Sequence, residues 1–196
     1  MYEIKGCPVP IYQDEGELNR LIELVKELKP KRILEIGSLH GGTLWYWMHA
    51  VKGAEIVSVD IGVGAPDSRF SDMEYARINL WPEWERETGC IITQIRADST
   101  SPETVKSMKE YAPFDFIFID GGHYYETVIS DWKNYWPMLR SGGLLAFHDI
   151  AYPDGNRDNY GVGRAWREVR DNGKWQEFIR ENNPEQWMGI GVMWKE

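Results

Sequence analysis

Apolar residues along this chain switch repeatedly between helical spacing and short consecutive runs, and most of the runs end in a glycine or an acid. Leu18, Leu21, Ile22, Val25 and Leu28 recur at helical spacing until Pro30, behind an Asp14/Glu17 pair spaced as a capping box. Ile33, Leu34 and Ile36 then form a strand-like run, and Leu44, Trp45, Trp47, Met48 and Val51 a second helix that ends by Gly53. Residues 55–59 are β-branched and mostly consecutive, as expected of a parallel strand covered on both faces, and stop at Asp60. Residues 62–71 have no period. Ser71 with Glu74 opens the next helix, which Pro82 should break or kink.

The alternation continues. Residues 90–95 give a third strand, Ser101-Pro102 an N-cap with proline in the first turn, and residues 114–119 the most hydrophobic strand, which runs into Asp120-Gly121-Gly122-His123. A helix marked by Val128, Trp132, Tyr135, Trp136 and Leu139 leads to a fifth strand at 144–147, ending in His148-Asp149. A polar stretch at 152–163 is long enough to act as a lid. A helix carrying Trp166 and Val169 follows, then two strands near 175–180 and 187–194 with Asn182-Asn183-Pro184 between them.

This pattern predicts an α/β fold: a single Rossmann-like doubly wound sheet of about seven strands, mostly parallel, with an antiparallel C-terminal hairpin and helices on both faces. The whole chain, 1–196, reads as one domain, with an arm and helix at 1–30, a core at 31–149, and a lid, helix and strand pair at 150–196.

Lys31 to Gly42, KRILEIGSLHGG, is the stretch the rest serves. Gly37, Gly41 and Gly42 let backbone approach a ligand, and Ser38 lies in the same turn, ahead of a helix N-terminus with unpaired N–H groups. Glu35 stands at the strand end, where ribose hydroxyls could be held, so the turn suggests a nucleoside-containing cofactor. A nicotinamide or flavin fingerprint would need glycine two residues after Gly37, where this chain has Leu39.

In open α/β sheets ligands bind beyond the carboxyl ends of the strands. That edge collects Glu35, Asp60, Asp98, Asp120, His123, His148 and Asp149. Asp60 lies where such folds place a ribose-binding acid. Asp98 and Ser99 could receive an adenine amine, or Asp98 could cap the helix at Ser101.

EIGSLHGG, VSVD, RADS, FDFIFIDGGHYYETVISDW and SGGLLAFHD together resemble the class I S-adenosylmethionine (SAM) dependent methyltransferases, over roughly residues 32–149. Among these, the chain is most similar to the group of macrolide-sugar and rhamnosyl O-methyltransferases and cephalosporin hydroxylase-like proteins. The resemblance implies SAM as cofactor and a hydroxylated small molecule, a sugar or secondary metabolite, as methyl acceptor. It also implies Asp120 as a ligand of a divalent cation near the cofactor, Asp149 as a second ligand and His123 as general base. The remaining ligand position falls on His148, where the group has an acid. Magnesium prefers oxygen donors, so His148 points either to a transition metal or to a second acid–base group at a metal-free site. A non-catalytic nucleoside-binding protein and a hydroxylase-like enzyme stay open as alternatives.

Composition narrows the partners. With 31 acidic and 22 basic residues the net charge is −9, which disfavours nucleic acid. Cys7 and Cys90 make no disulfide framework, no apolar run reaches membrane-spanning length, and no basic-then-apolar leader opens the chain, so a reducing, cytoplasmic setting is expected. Ten tryptophans and ten tyrosines should mostly fill the core, with the aromatic-rich terminal strands offering a surface for a homodimer. His40 and His49 have no matching ligands in sequence and read as structural or surface residues.

Overall fold

The computed structural model describes residues 6–62, 68–151, 161–181 and 188–196. Its strands are β1 Arg32–Ile36, β2 Glu55–Val59, β3 Ile91–Ile95, β4 Phe114–Ile119, β5 Leu139–Phe147, β6 Lys174–Phe178 and β7 Ile190–Trp194. They form one sheet in the order β3-β2-β1-β4-β5-β7-β6, with the first five parallel and β7 antiparallel to both β5 and β6. The expected mixed sheet with a terminal antiparallel pair is therefore the observed one. β7 sits inside and β6 takes the edge.

Helices α1 Glu15–Leu28, α2 Gly42–Ala50, α3 Ser68–Tyr75, α4 Trp81–Thr88, α5 Pro102–Met108, α6 Tyr125–Tyr135 and α7 Val162–Val169 cover the two faces. Successive strand residues point to opposite sides, so each strand feeds two cores. Ile33, Phe116 and Phe118 pack with Leu18, Leu21, Trp47 and Trp81 on one face; Leu34, Ile36, Ile117 and Ile119 pack with Val128, Tyr135 and Trp166 on the other. By this alternation Glu35 faces the first core, between two apolar neighbours that face the second.

Several expectations shift in detail. α3 is already helical at Ser68, so the aperiodic stretch is shorter than 62–71; Pro82 sits in the first turn of α4, and the chain reaches it through a π-helical turn, Ala76–Leu80. β5 starts at Leu139, with a register irregularity opposite Phe114 and Phe116. The lid expected at 152–163 lies largely outside the described residues, as does the 182–184 turn.

Asp14 caps α1 as expected, accepting from Gly16 and Glu17 N–H. Glu17 does not return the capping bond. Its buried carboxylate accepts from the backbone N–H of Arg180 and Gly189, at 2.8 and 2.9 Å, tying α1 to the terminal strands, and burial raises its pKa.

Candidate active site

The parallel register sets the rim. Ile36 pairs with Val59 and Ile119, Val59 with Ile95, and Ile119 with Phe147. One residue further, Gly37 N–H donates to Val59 O, Asp60 N–H to Ile95 O, Asp120 N–H to Ile36 O and His148 N–H to Ile119 O. Gly37, Asp60, Asp120 and His148 therefore stand in one row at the carboxyl edge, although they are spread over more than a hundred residues of sequence.

The β1–α2 turn is held mostly by its own chain. Gly37 has φ +87°, and a Cβ there would lie 2.1 Å from Asp120 O, so only glycine permits this approach. Glu35 is fully buried; Thr43 Oγ1 and Trp47 Nε1 donate to its two oxygens, and burial pushes its pKa up to about 8. It fastens β1 to α2 and does not face the rim, so the ribose position read for it in sequence gives way to an internal one. Ser38, also buried, hydrogen bonds with Ser58 at 2.7 Å. Gly41 packs on Trp81, and Gly42 on Pro10 O and Ile11 of the N-terminal arm. These residues shape the turn through internal contacts.

Leu39 explains the altered glycine spacing. It adopts φ +48°, a conformation that favours glycine, and is clamped there: its N–H donates to Asp60 Oδ2 at 2.9 Å while Arg77 Nη2 donates to its carbonyl. Asp60 Oδ1 also accepts from Gly62 N–H at 2.7 Å and lies 3.1 Å from Arg77 Nη2. Arg77 is buried and stacks over Trp81. The Asp60 side chain is 11% exposed, so it meets the rim with a small part of its surface. Arg77 gives no sign in sequence, being one basic residue inside a helix.

Asp98 is exposed and accepts from Thr100 N–H and Oγ1, which hold its carboxyl below the usual carboxylate range. The capping role belongs to Ser101, whose hydroxyl accepts from Thr104 N–H. Ser99 is buried beside it, and its carbonyl accepts from the Tyr135 hydroxyl.

At β4 and β5 the side chains instead face one another. His123 Nε2 lies 3.0 Å from Asp149 Oδ2 and 4.0 Å from Asp120 Oδ1. His148 Nδ1 lies 3.1 Å from Asp120 Oδ1 and 3.3 Å from Asp149 Oδ1, bridging the two acids. Asp149 has φ +62°, which Asp tolerates better than most residues. Burial alone would lower the pKa of each histidine, but the acids outweigh it: Asp149 and Asp120 raise His123, and they raise His148 to about 9. Burial would raise Asp149, yet the two imidazoles bring it below the usual range. His123 keeps 33% of its side-chain surface exposed while His148 is 4% exposed, so His123 is the one a ligand can reach.

One residue the sequence did not single out joins this cluster. Gln13, buried in the N-terminal arm, donates from Nε2 to Asp120 Oδ2 at 2.8 Å. His40 and His49 stay apart: His40 is buried in the glycine turn, and His49 stacks on Trp45.

Asp120, His123 and Asp149 each offer one ligand atom, all within 4.8 Å of one another. The trio expected from sequence had His148 in place of His123. An imidazole among three protein ligands, with a second bridging both carboxylates, does not fit magnesium; a transition ion fits this donor set.

Comparison with known proteins bears on the fold and the family. Among curated proteins, the demethylmacrocin O-methyltransferase of Streptomyces fradiae is 29% identical over 126 residues, 61% of this chain and 27% of its own. An uncharacterized protein of Acanthamoeba polyphaga mimivirus is 26% identical over 118 residues, 59% of this chain and 50% of its own. The chain thus spans half or less of the length of these relatives. Among solved structures, an O-methyltransferase from Bacillus cereus in complex with S-adenosylhomocysteine (SAH) superposes with TM-score 0.66 at 16% identity, over 95% of this chain and 84% of that one. TomG, an O-methyltransferase from Streptomyces achromogenes involved in tomaymycin synthesis and solved with SAM, gives TM-score 0.64 at 15% identity, over 98% and 84%. A family model described as a methyltransferase domain matches residues 34–150, from β1 through the histidine–acid pair after β5. With the glycine turn and the rim acids lying within that match, which covers more than half of the chain, the chain belongs to the methyltransferase domain family.

Proposed function

We propose that this protein is a SAM-dependent O-methyltransferase acting on a hydroxyl of a small molecule, a sugar or a secondary metabolite. The observation that carries this reading is the single row of Gly37, Asp60, Asp120 and His148, with the exposed imidazole of His123 set on it. Asp60 on β2 and Asp98 on β3 would hold the nucleoside, leaving its 5′ substituent to cross β1 toward β4. When bound, SAM supplies a methyl group on a sulfonium that is already a good leaving group.

The chain's own work is to position the acceptor and take its proton. Asp149 holds His123 by Nε2, which orients the ring and stabilises the imidazolium that forms when the ring accepts the hydroxyl proton. His148 bridges the two acids and balances their charge. A transition ion, where present, would be held by Asp120, His123 and Asp149 and would polarise the acceptor hydroxyl, an alternative that displaces His123 as base. Among the described residues no helix is long and apolar enough to cross a membrane, and Cys7 and Cys90 are free thiols, in keeping with work in a reducing cytoplasm.

The test is a methyl-transfer screen against sugar and phenolic hydroxyl acceptors in the presence and absence of a chelator. Transfer that survives chelation supports His123 as base; transfer that requires added manganese, zinc or iron assigns His123 to the metal instead. A chain that binds SAH but methylates nothing in the panel would support a binding protein.

A further inference from the structure

We infer that Gln13 reads the amino-acid head of the cofactor, accepting a hydrogen bond from its α-ammonium through Oε1. This rests on the SAM reading above. Gln13 is 2% exposed, and its two amide atoms fare differently. Nε2 donates to Asp120 Oδ2 at 2.8 Å, whereas Oε1 is buried with no hydrogen-bond partner among the described residues. Exchanging the two atoms would set oxygen against a carboxylate oxygen, so Asp120 fixes the orientation and Oε1 must face away from it. A buried acceptor left unmatched is costly, and buried polar groups in native proteins nearly always find a donor.

The sheet order indicates which donor. Asp120 is already engaged by Gln13 on one oxygen and His148 on the other, and Glu35 is engaged by Thr43 and Trp47. Gln13 Oε1 has no donor among the described residues and stands beside the Asp120 carboxylate; the other buried acceptor here without one, the carboxylate of Asp131, lies behind Gly121 on α6. With ribose at Asp60 on β2 and adenine toward β3, the 5′ substituent runs the opposite way, across β1 to β4. Two strand spacings are roughly 10 Å. That is the reach of a thioether carrying an amino-acid chain, and it ends where Gly37 packs on the Asp120 backbone and Gln13 meets the Asp120 side chain. The group there that carries N–H donors and a positive charge is the α-ammonium. The arm also crosses the turn itself, with Pro10 O and Ile11 against Gly42, so Gln13 enters the site on a docked segment.

The test compares three ligands by isothermal titration: SAH, its desamino analogue, and 5′-methylthioadenosine, which lacks the amino-acid portion. Wild-type protein should bind SAH about tenfold or more tightly than the desamino analogue, the range for a hydrogen bond to a charged group. Gln13→Met should lose that factor for SAH and bind methylthioadenosine as wild type does. An equal loss for both ligands marks a merely structural residue and overturns the inference, as does unchanged SAH affinity accompanied by a raised KM for the acceptor. If the variant does not fold, the wild-type arm still decides, since indifference to the missing amine contradicts the proposal. Failure of wild type to bind SAH at all would instead sink the SAM reading.

Discussion

The two halves of the rim use polar side chains in opposite ways. On the β1–β2 side Glu35, Ser38 and Asp60 are drawn into internal bonds with Thr43, Trp47, Ser58, Leu39 and Arg77, which hold a backbone turn in one shape. On the β4–β5 side Asp120, His123, His148 and Asp149 turn toward one another, and His123 stays accessible. One half is a preorganised cradle, and the other a charged cluster whose protonation can change. The former should be probed by stability and binding, the latter by turnover and pH.

The sharpest way to break this division is His123→Ala. We expect kcat to fall by about 10²–10⁴-fold, the usual contribution of a positioned acid–base group, with SAH affinity within twofold of wild type. Comparable losses in both would merge the two halves. Next in size is Arg77→Ala. Removing one partner of a buried ion pair costs about 3–5 kcal/mol, and the Leu39 clamp goes with it, so urea unfolding should show that loss and SAH binding should weaken. A stability change below 1 kcal/mol, on the scale of a surface pair, would show that the turn does not depend on this clamp.

Glu35→Gln tests the cradle by pH. Its folded pKa of about 8 is above the unfolded value, so the folded state holds a proton that the unfolded chain releases, and stability should fall as pH rises from about 4.5 to 8. Glu35→Gln should flatten that slope, with its largest gain in unfolding temperature near pH 8 and almost none near pH 5. An unchanged slope would show that Glu35 is not the group responsible.

The smallest expected effect is a shift in a pH profile with Asp149→Asn. Because His123 is raised above its ordinary value, activity should be lost as pH falls through that raised pKa. Removing this carboxylate leaves only Asp120 to oppose burial, so the acid limb of kcat/KM should move to lower pH. A limb that stays in place would assign it to another group.

Much of this was legible in the sequence because parallel strands write their signal locally. Consecutive apolar runs ending at Asp60, Asp120 and His148 give both the strands and the rim, and the pairing register needs no further information to align them. What stayed hidden depends on direction. Glu35 and Ile36 are neighbours in one strand, but the pleat sends Glu35 inward to Trp47, which no spacing rule separates from an outward acid. Arg77 and Gln13 reach the site from a helix and an arm with no motif of their own, through contacts far apart in sequence. Glu17 matched a capping box and serves a different pair of N–H groups, those of Arg180 and Gly189 beside the terminal strands.

The most direct check on the central claim is calorimetric titration of SAH into the wild-type chain. A cradle built around Gly37 and Asp60 predicts one site per chain with micromolar or tighter affinity. Absence of binding up to millimolar SAH would contradict the account.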